Sequence, residues 1–316
     1  MLTRLYWREN IMPVVVFGLR SQEKIKMIII NIKGGLGNQM FQYALGRKLS
    51  LKTKQQLKLD ITTLKRVDSG KDTHRSFTLD AYTIEKNIAA DREINRLKYP
   101  FGIISKGIQW FRLKMLGQTH TGFERNILSK TGSMYLDGYW QSPKYFEDIR
   151  NVLLEDFQLT APLSKTVVSY CAKIDHGTSV SVHIRRGDYV KNPRVLKEFG
   201  ICSKTYYQKA VSYIQEHVTE PSFFIFSDDI AWVKENIPLP DNTKYVSNPA
   251  LSAEEELILM SRCSHNIIAN STFSWWGAWL NQNREKIVIA PTPWFNKNNH
   301  LFKDLIPDSW IQLPRN

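Results

Sequence analysis

Between residues 178 and 290 the sequence alternates short apolar runs with stretches of helical periodicity, and no other feature narrows the fold as much. The pattern predicts strands over 178–184, 222–227, 265–269 and 286–290 and helices over 204–218, 229–236, 252–263 and 272–282. Strands separated by helices pair in parallel, because a parallel connection needs about a helix length of chain to return to the same edge. Ser252 followed by Glu255 forms a capping box at the start of the helix over 252–263. A length of 316 residues fits two domains at roughly 150 residues each.

The first half carries one clear unit of the same kind. MIIINI at residues 27 to 32 is a β-branched run that stops at Lys33-Gly34-Gly35, and NQMFQYALGRKLSL then repeats Met40, Phe41, Ala44, Leu45 and Leu49 on one helix face. Residues 60 to 140 give only a loose strand expectation around Tyr135 to Tyr139. A helix is expected from Pro143 to about Phe157, with its proline in the first turn. A domain boundary is expected near Thr160-Ala161-Pro162, dividing residues 27–160 from 161–316, with the last residues a candidate to cross back. Residues 1–26 read as an upstream extension, since Met27 opens the first strand pattern. IMPVVVFGL at residues 11 to 19 is too short to span a bilayer, and Arg20, Lys24 and Lys26 stand where a signal cleavage site needs small residues.

The 43 Lys and Arg against 30 Asp and Glu give a net charge of +13, which favours an anionic partner without choosing one. The basic run RKLSLKTKQQLK at residues 47 to 58 reads as a solvated helix face. Cys171, Cys202 and Cys263 lie far apart with no CxxC pair and no histidine at metal-ligand spacing, so they read as buried thiols in a reducing compartment.

Four segments can carry chemistry. GGLGNQ, residues 34 to 39, presents Gly35, Gly37 and Asn38 at a helix N-terminus, a place for a phosphate or sugar, yet it is neither a dinucleotide fingerprint nor a P-loop. HIRRGDY, residues 183 to 189, follows an apolar strand and so puts His183, Arg185, Arg186 and Asp188 where ligands of open α/β sheets bind. Two guanidinium groups suit a diphosphate, although an Arg-Arg-Gly-Asp string elsewhere is most often a surface ion pair. SFFIFSDD ends another strand in Ser227, Asp228 and Asp229; helix capping accounts for one of the aspartates, and the chain contains no D-x-D metal motif. NSTFSWWGAWL sets Asn270, Ser271 and Thr272 at a helix start as a second anion site, with Trp275, Trp276 and Trp279 at core spacing. Glu256, in an acidic first helical turn, is open between a favourable helix-dipole contact and recognition of guanine N1 and N2.

Taken in order, GGLGNQMFQYALGR, HIRRGDY, SDDIAW and NSTFSWWGAWL resemble the bacterial α-1,2-fucosyltransferases of glycosyltransferase family 11 over about residues 27 to 290. The resemblance implies a GT-B-like α/β fold, two Rossmann-type domains facing across a cleft, with GDP-fucose held by residues 161–316 and the acceptor by residues 27–160. It places Arg185 on the donor diphosphate, His183 beside the nucleotide, Ser271 and Thr272 on phosphate, Glu256 on guanine and Asn38 near the reacting sugar. It further implies inverting transfer to a galactose 2-hydroxyl with no cofactor and no metal. Asp188 is the nearest carboxylate in sequence for a general base, or else holds an arginine or the backbone.

Two other readings compete. A basic nucleic-acid-binding protein needs clustered basic residues among exposed aromatics, and the aromatics here sit at core spacing, so no nucleic acid partner is expected. A carbohydrate-binding protein or a transferase for another GDP-sugar fits the tryptophans. The expected location is cytoplasmic, with peripheral contact at the inner face of the membrane suggested by charge alone; acceptor identity and oligomeric state are not encoded in any motif.

Overall fold

The computed structural model describes residues 26–65, 75–102, 104, 107, 120–187, 190, 192–296 and 302–316. MIIIN is buried at every position and forms β1 (Met27–Asn31), the centre of a three-stranded parallel sheet ordered β2-β1-β3, with β2 at Gln56–Asp60 and β3 at Met134–Leu136. After the glycine turn, α1 (Leu36–Thr53) runs back between these strands, and Lys54 ends it in the left-handed region. The basic run at residues 47 to 58, read as helix face, is helix through Thr53 and then enters β2 at Gln56. Three of the run's five basic residues are ion-paired: Arg47 with Asp156 at 2.9 Å and with Glu85, Lys48 with Asp148, and Lys58 with Glu93 at 2.6 Å. Helix α2 (Asp91–Lys98) packs near β3, and its last turn brings the ammonium of Lys98 to 4.9 Å from the Tyr135 ring.

The helix expected from Pro143 to Phe157 is broken. Two 3₁₀ turns, Pro143–Tyr145 and Glu147–Ile149, precede α3 (Arg150–Asp156). The break falls at Phe146, which has φ −144° and ψ 8° and whose buried ring stacks on Trp276 at 5.4 Å.

Beyond Thr160 the chain crosses to a six-stranded parallel sheet ordered β6-β5-β4-β7-β8-β9. Its members are β4 (Ser179–Ile184), β5 (Ser222–Ser227), β6 (Lys244–Tyr245), β7 (His265–Ile267), β8 (Val288–Thr292) and β9 (Ile311–Pro314). The helices are α4 (Lys165–Asp175), α5 (Pro193–Phe199), α6 (Lys204–His217), α7 (Ile230–Asn236), α8 (Ala253–Arg262) and α9 (Thr272–Leu280). The Ser252–Glu255 capping box forms in both directions, at 3.2 and 3.0 Å. All three cysteines are buried thiols. The last residues do not cross back to the first sheet: β9 pairs with β8, and the preceding stretch makes the contact instead, with Asp304 meeting Lys144 and Ser142.

The largest apolar cluster belongs to neither sheet alone. Ile28, Ile30 and Phe41 from the first half share it with Trp275, Trp276, Trp279 and Trp310 from the second. Phe41 lies 4.5 Å from Trp275 and 5.0 Å from Trp276, ring centre to ring centre. Trp275 and Trp276 are fully buried, so these rings join α1 to α9 and are not exposed for stacking on a sugar. That seam brings the starts of the helices that follow β1 and β7 into contact, at the carboxyl ends of the strands, where α/β folds bind ligands.

Candidate active site

Parallel pairing of β4 with β5 aligns Ile184 with Ser227, so the next residues of the two strands, Arg185 and Asp228, emerge side by side. Asp228 Oδ1 accepts the backbone N–H groups of Arg186 and Gly187 at 2.9 and 3.0 Å, while Oδ2 lies 3.1 Å from Arg185 Nη1. A Cβ at Gly187 would fall 2.9 Å from the Asp228 carboxyl carbon, so this approach requires glycine. Asp228 therefore anchors the turn that presents Arg185. Asp229 is the helix cap, accepting the Trp232 N–H at 3.2 Å. The Arg186 guanidinium lies 3.4 Å from the Trp232 ring centre and 3.7 Å from Asp229, a packed position beside α7. Asp188 lies outside the described residues.

His183, two residues before Arg185 on β4, sets its ring edge-on to Phe273 in the first turn of α9 at 5.6 Å. It is 4% exposed, and burial, reinforced by Arg185, pushes its pKa down to about 3, leaving the imidazole neutral. Its Nδ1 is buried without a hydrogen-bond partner among the described residues. From β5, Ser227 Oγ accepts the Asp229 N–H at 3.0 Å and its own N–H donates to Ser247 Oγ at 3.0 Å. Ser247 also bonds the Glu256 carboxyl in the first turn of α8. Burial, with a contribution from Asp228, raises the pKa of Glu256 to about 7 against the Ser247 bond that lowers it.

The glycine turn closes the other wall. Gly34 is in the left-handed region at φ 79°. At Gly37 an added Cβ would lie 2.7 Å from the Phe273 nitrogen and closer still to the Thr272 carbonyl, so the first turns of α1 and α9 touch. Trp276 Nε1 donates to the Gly37 carbonyl at 2.9 Å, and Asn38 Oδ1 accepts from Thr272 Oγ1 at 3.2 Å and Gln141 Nε2 at 2.8 Å. Ser271 is the N-cap of α9, and its side chain makes no capping bond. Neither first turn holds an acidic residue, so two helix N-termini present their positive ends together. Gly35, the N-cap of α1, has open space at its Cβ position.

Asn270 lies between β7 and α9, directly before Ser271. Asn270 is 1% exposed and its amide donates to the carbonyls of Phe199 and Gly200, both at 3.1 Å, while its oxygen accepts from the Cys202 thiol. Its side chain ties the loop before α6 to the segment between β7 and α9. Sequence reasoning missed Gln141, Lys33 and Asp137. Asp137 accepts from Lys33 Nζ at 2.6 Å and Asn31 Nδ2 at 3.0 Å, a junction of two strand ends about a hundred residues apart in sequence that no local motif announces. Among the described residues no cluster of three or more His, Cys, Asp or Glu side chains is arranged to hold a metal ion, and no helix is long and apolar enough to cross a membrane.

Two parallel sheets wound by helices, with their strand ends meeting at a common seam, define the GT-B class of glycosyltransferase folds. The solved structure of the fucosyltransferase NodZ from Bradyrhizobium superimposes with a TM-score of 0.50 at 15% identity, over 80% of this chain and 93% of that one. Residues 120–313 match the family described as Glycosyl transferase family 11. An α-1,2-colitosyltransferase of Escherichia coli is 34% identical over 92% of this chain and 100% of its own length. Galactoside α-(1,2)-fucosyltransferase 2 of Hylobates lar is 28% identical over 46% of this chain and 44% of its own. The chain belongs to glycosyltransferase family 11 and is a glycosyltransferase.

Proposed function

We propose that the protein transfers L-fucose from GDP-β-L-fucose, with inversion, to the 2-hydroxyl of a terminal galactoside, forming an α-1,2 linkage in a surface glycan or oligosaccharide. The observation that carries this reading is the contact between the first turns of α1 and α9 at Gly37 and Thr272, with His183 of β4, two residues before Arg185, set against Phe273 in that same turn of α9. Negative charge grows on the departing diphosphate as the sugar approaches an oxocarbenium-like state, and fixed donors aimed at that charge lower the barrier. Arg185 meets the diphosphate, the neutral His183 offers its unpartnered nitrogen to the nucleotide, and Ser271 and Thr272 present hydroxyls and amides to a phosphate. Glu256 accepts from the guanine edge. Asn38, held by Gln141 and Thr272, lies beside the reacting sugar. The chemistry needs neither metal nor cofactor, because the charge is met by these groups.

The test is incubation with GDP-fucose or GDP-mannose, with and without lactose, in buffer containing EDTA. The expected result is acceptor-dependent GDP release from GDP-fucose alone, undiminished by EDTA, with an α-anomeric product by NMR. Turnover of GDP-mannose, or none with either donor, overturns the reading. A second reading, transfer of colitose, is favoured by the 34% identity to an α-1,2-colitosyltransferase; kcat/KM for GDP-colitose above that for GDP-fucose establishes it.

A further inference from the structure

The first sheet also ends in polar side chains, Asn31 and Lys33 at the end of β1 and Asp137 at the end of β3. Asp137 follows β3 directly, and its Oδ1 takes both available donors, Lys33 Nζ and Asn31 Nδ2, while no hydrogen bond among the described residues falls on Oδ2. The carboxylate is 29% exposed, so a ligand can reach it. The segment from Asp137 to Gln141 then runs to Asn38, whose oxygen takes the Gln141 amide beside Thr272. This short segment is rigid and strained. Trp140 has φ 53°, a left-handed conformation unusual for a bulky residue, and is held there by burial and by stacking on His120 at 5.1 Å. Gly138 is equally constrained, since a Cβ there would lie 2.7 Å from the Trp140 ring. Strained backbone of this kind is retained where a side chain must be aimed.

Resting on the fucosyl-transfer reading, we propose that Asp137 is the proton acceptor for the attacking hydroxyl of the acceptor sugar. The hydroxyl O–H bond breaks and its proton goes to Asp137 Oδ2. The freed oxygen pair forms the new bond to the anomeric carbon as the bond from that carbon to the β-phosphate oxygen breaks, and GDP leaves with that electron pair. The proton then passes to solvent. Lys33 is a positioning residue, fixing the carboxylate through Oδ1 and keeping it ionised. The groups facing Asp137 are Lys33 from the loop after β1, Lys98 from the end of α2, and Tyr135 of β3, whose phenol donates to Asp60 at 2.7 Å.

The test measures transfer from GDP-fucose to lactose by wild type, Asp137→Asn and Lys33→Met, with GDP-fucose affinity by calorimetry and folding by thermal melt. Asp137→Asn is expected to lose on the order of 10² to 10⁴ in kcat, with donor affinity within about twofold of wild type and no acid limb in its kcat profile. Lys33→Met is expected to move the acid limb of kcat up by about one pH unit, because the carboxylate loses its cation. Asp137→Asn retaining kcat within about fivefold overturns the assignment. If that variant does not fold, an unmoved acid limb in Lys33→Met overturns it and a raised one supports it. A wild type without fucose transfer refutes the functional reading itself, and this proposal with it.

Discussion

Gly37 in the first turn of α1 packs so closely on Thr272 in the first turn of α9 that no side chain fits between them. This contact joins the two halves of the molecule, and the Trp276 indole seals it by donating to the Gly37 carbonyl. Gly37→Ala forces the helices apart. The expected outcome is a loss of about 1 to 3 kcal/mol in stability, the usual cost of overpacking, together with at least a tenfold fall in transfer. Denaturant melts and a donor-turnover assay check both.

The two neighbouring arginines divide into different roles. Arg185 shares Asp228 with the turn it stands on, whereas Arg186 lies flat against Trp232. Arg185→Ala is expected to lower kcat/KM by roughly hundreds-fold, equivalent to about 3 kcal/mol of charge stabilisation, with the thermal melt little changed. Arg186→Ala is expected to do the reverse, lowering the melting temperature through loss of a cation–π contact of about 1 to 2 kcal/mol while retaining more activity than Arg185→Ala. Steady-state kinetics beside calorimetry separate them.

Asp228 is predicted to act through the turn and not through the ligand. Its carboxylate takes two backbone N–H groups, and bonds to an ionised acceptor contribute about 1.5 to 3 kcal/mol each. Asp228→Ala therefore loosens residues 185 to 187, and GDP affinity measured by calorimetry is expected to fall by at least tenfold. If affinity is unchanged, the turn does not depend on this anchor.

Glu256 gives a pH dependence with a defined sign. Its pKa rises from 4.5 to about 7 on folding, so the folded state binds the proton more tightly. Its contribution to stability is therefore full below pH 4.5 and is lost as pH rises through about 7. Glu256→Gln removes this loss, so the variant gains stability relative to wild type between pH 5 and pH 8 in chemical melts. Ligand affinity runs the other way: the carboxylate is the better acceptor for guanine, so GDP-fucose, whose diphosphate does not titrate in this range, binds wild type more tightly at pH 8 than at pH 6. The glutamine variant is expected to lose that difference.

Much of the second half of the molecule was legible in the sequence, because its strands and helices announce themselves by local periodicity. β5 has the expected bounds, β4 and the helices α6 to α9 lie within two residues of theirs, and Ser252 caps α8 as its spacing with Glu255 requires. Arg185 and Asp228 were also visible as polar residues at strand ends. Their partnership was not, since it depends on β4 lying next to β5 in a register that only the sheet sets.

Elements whose sequence fits more than one partner were decided by tertiary structure. The start of β2 was hidden at the end of a lysine-rich run, and its one lysine, Lys58, is matched by the distant carboxylate of Glu93. The Pro143 helix breaks at Phe146, whose ring packs on Trp276, and the Asn270 amide is taken up by the carbonyls of Phe199 and Gly200, partners about seventy residues away. Asp137 had no motif because Lys33 and Asn31 reach it from another strand. The sequence by itself determined the alternation of strands and helices, the glycines and the charged residues at strand ends, all of which follow from interactions within a few residues. Which of those residues meet, and therefore which can act together on one sugar nucleotide, was decided only when the aromatic seam between α1 and α9 brought the two sheets into one core.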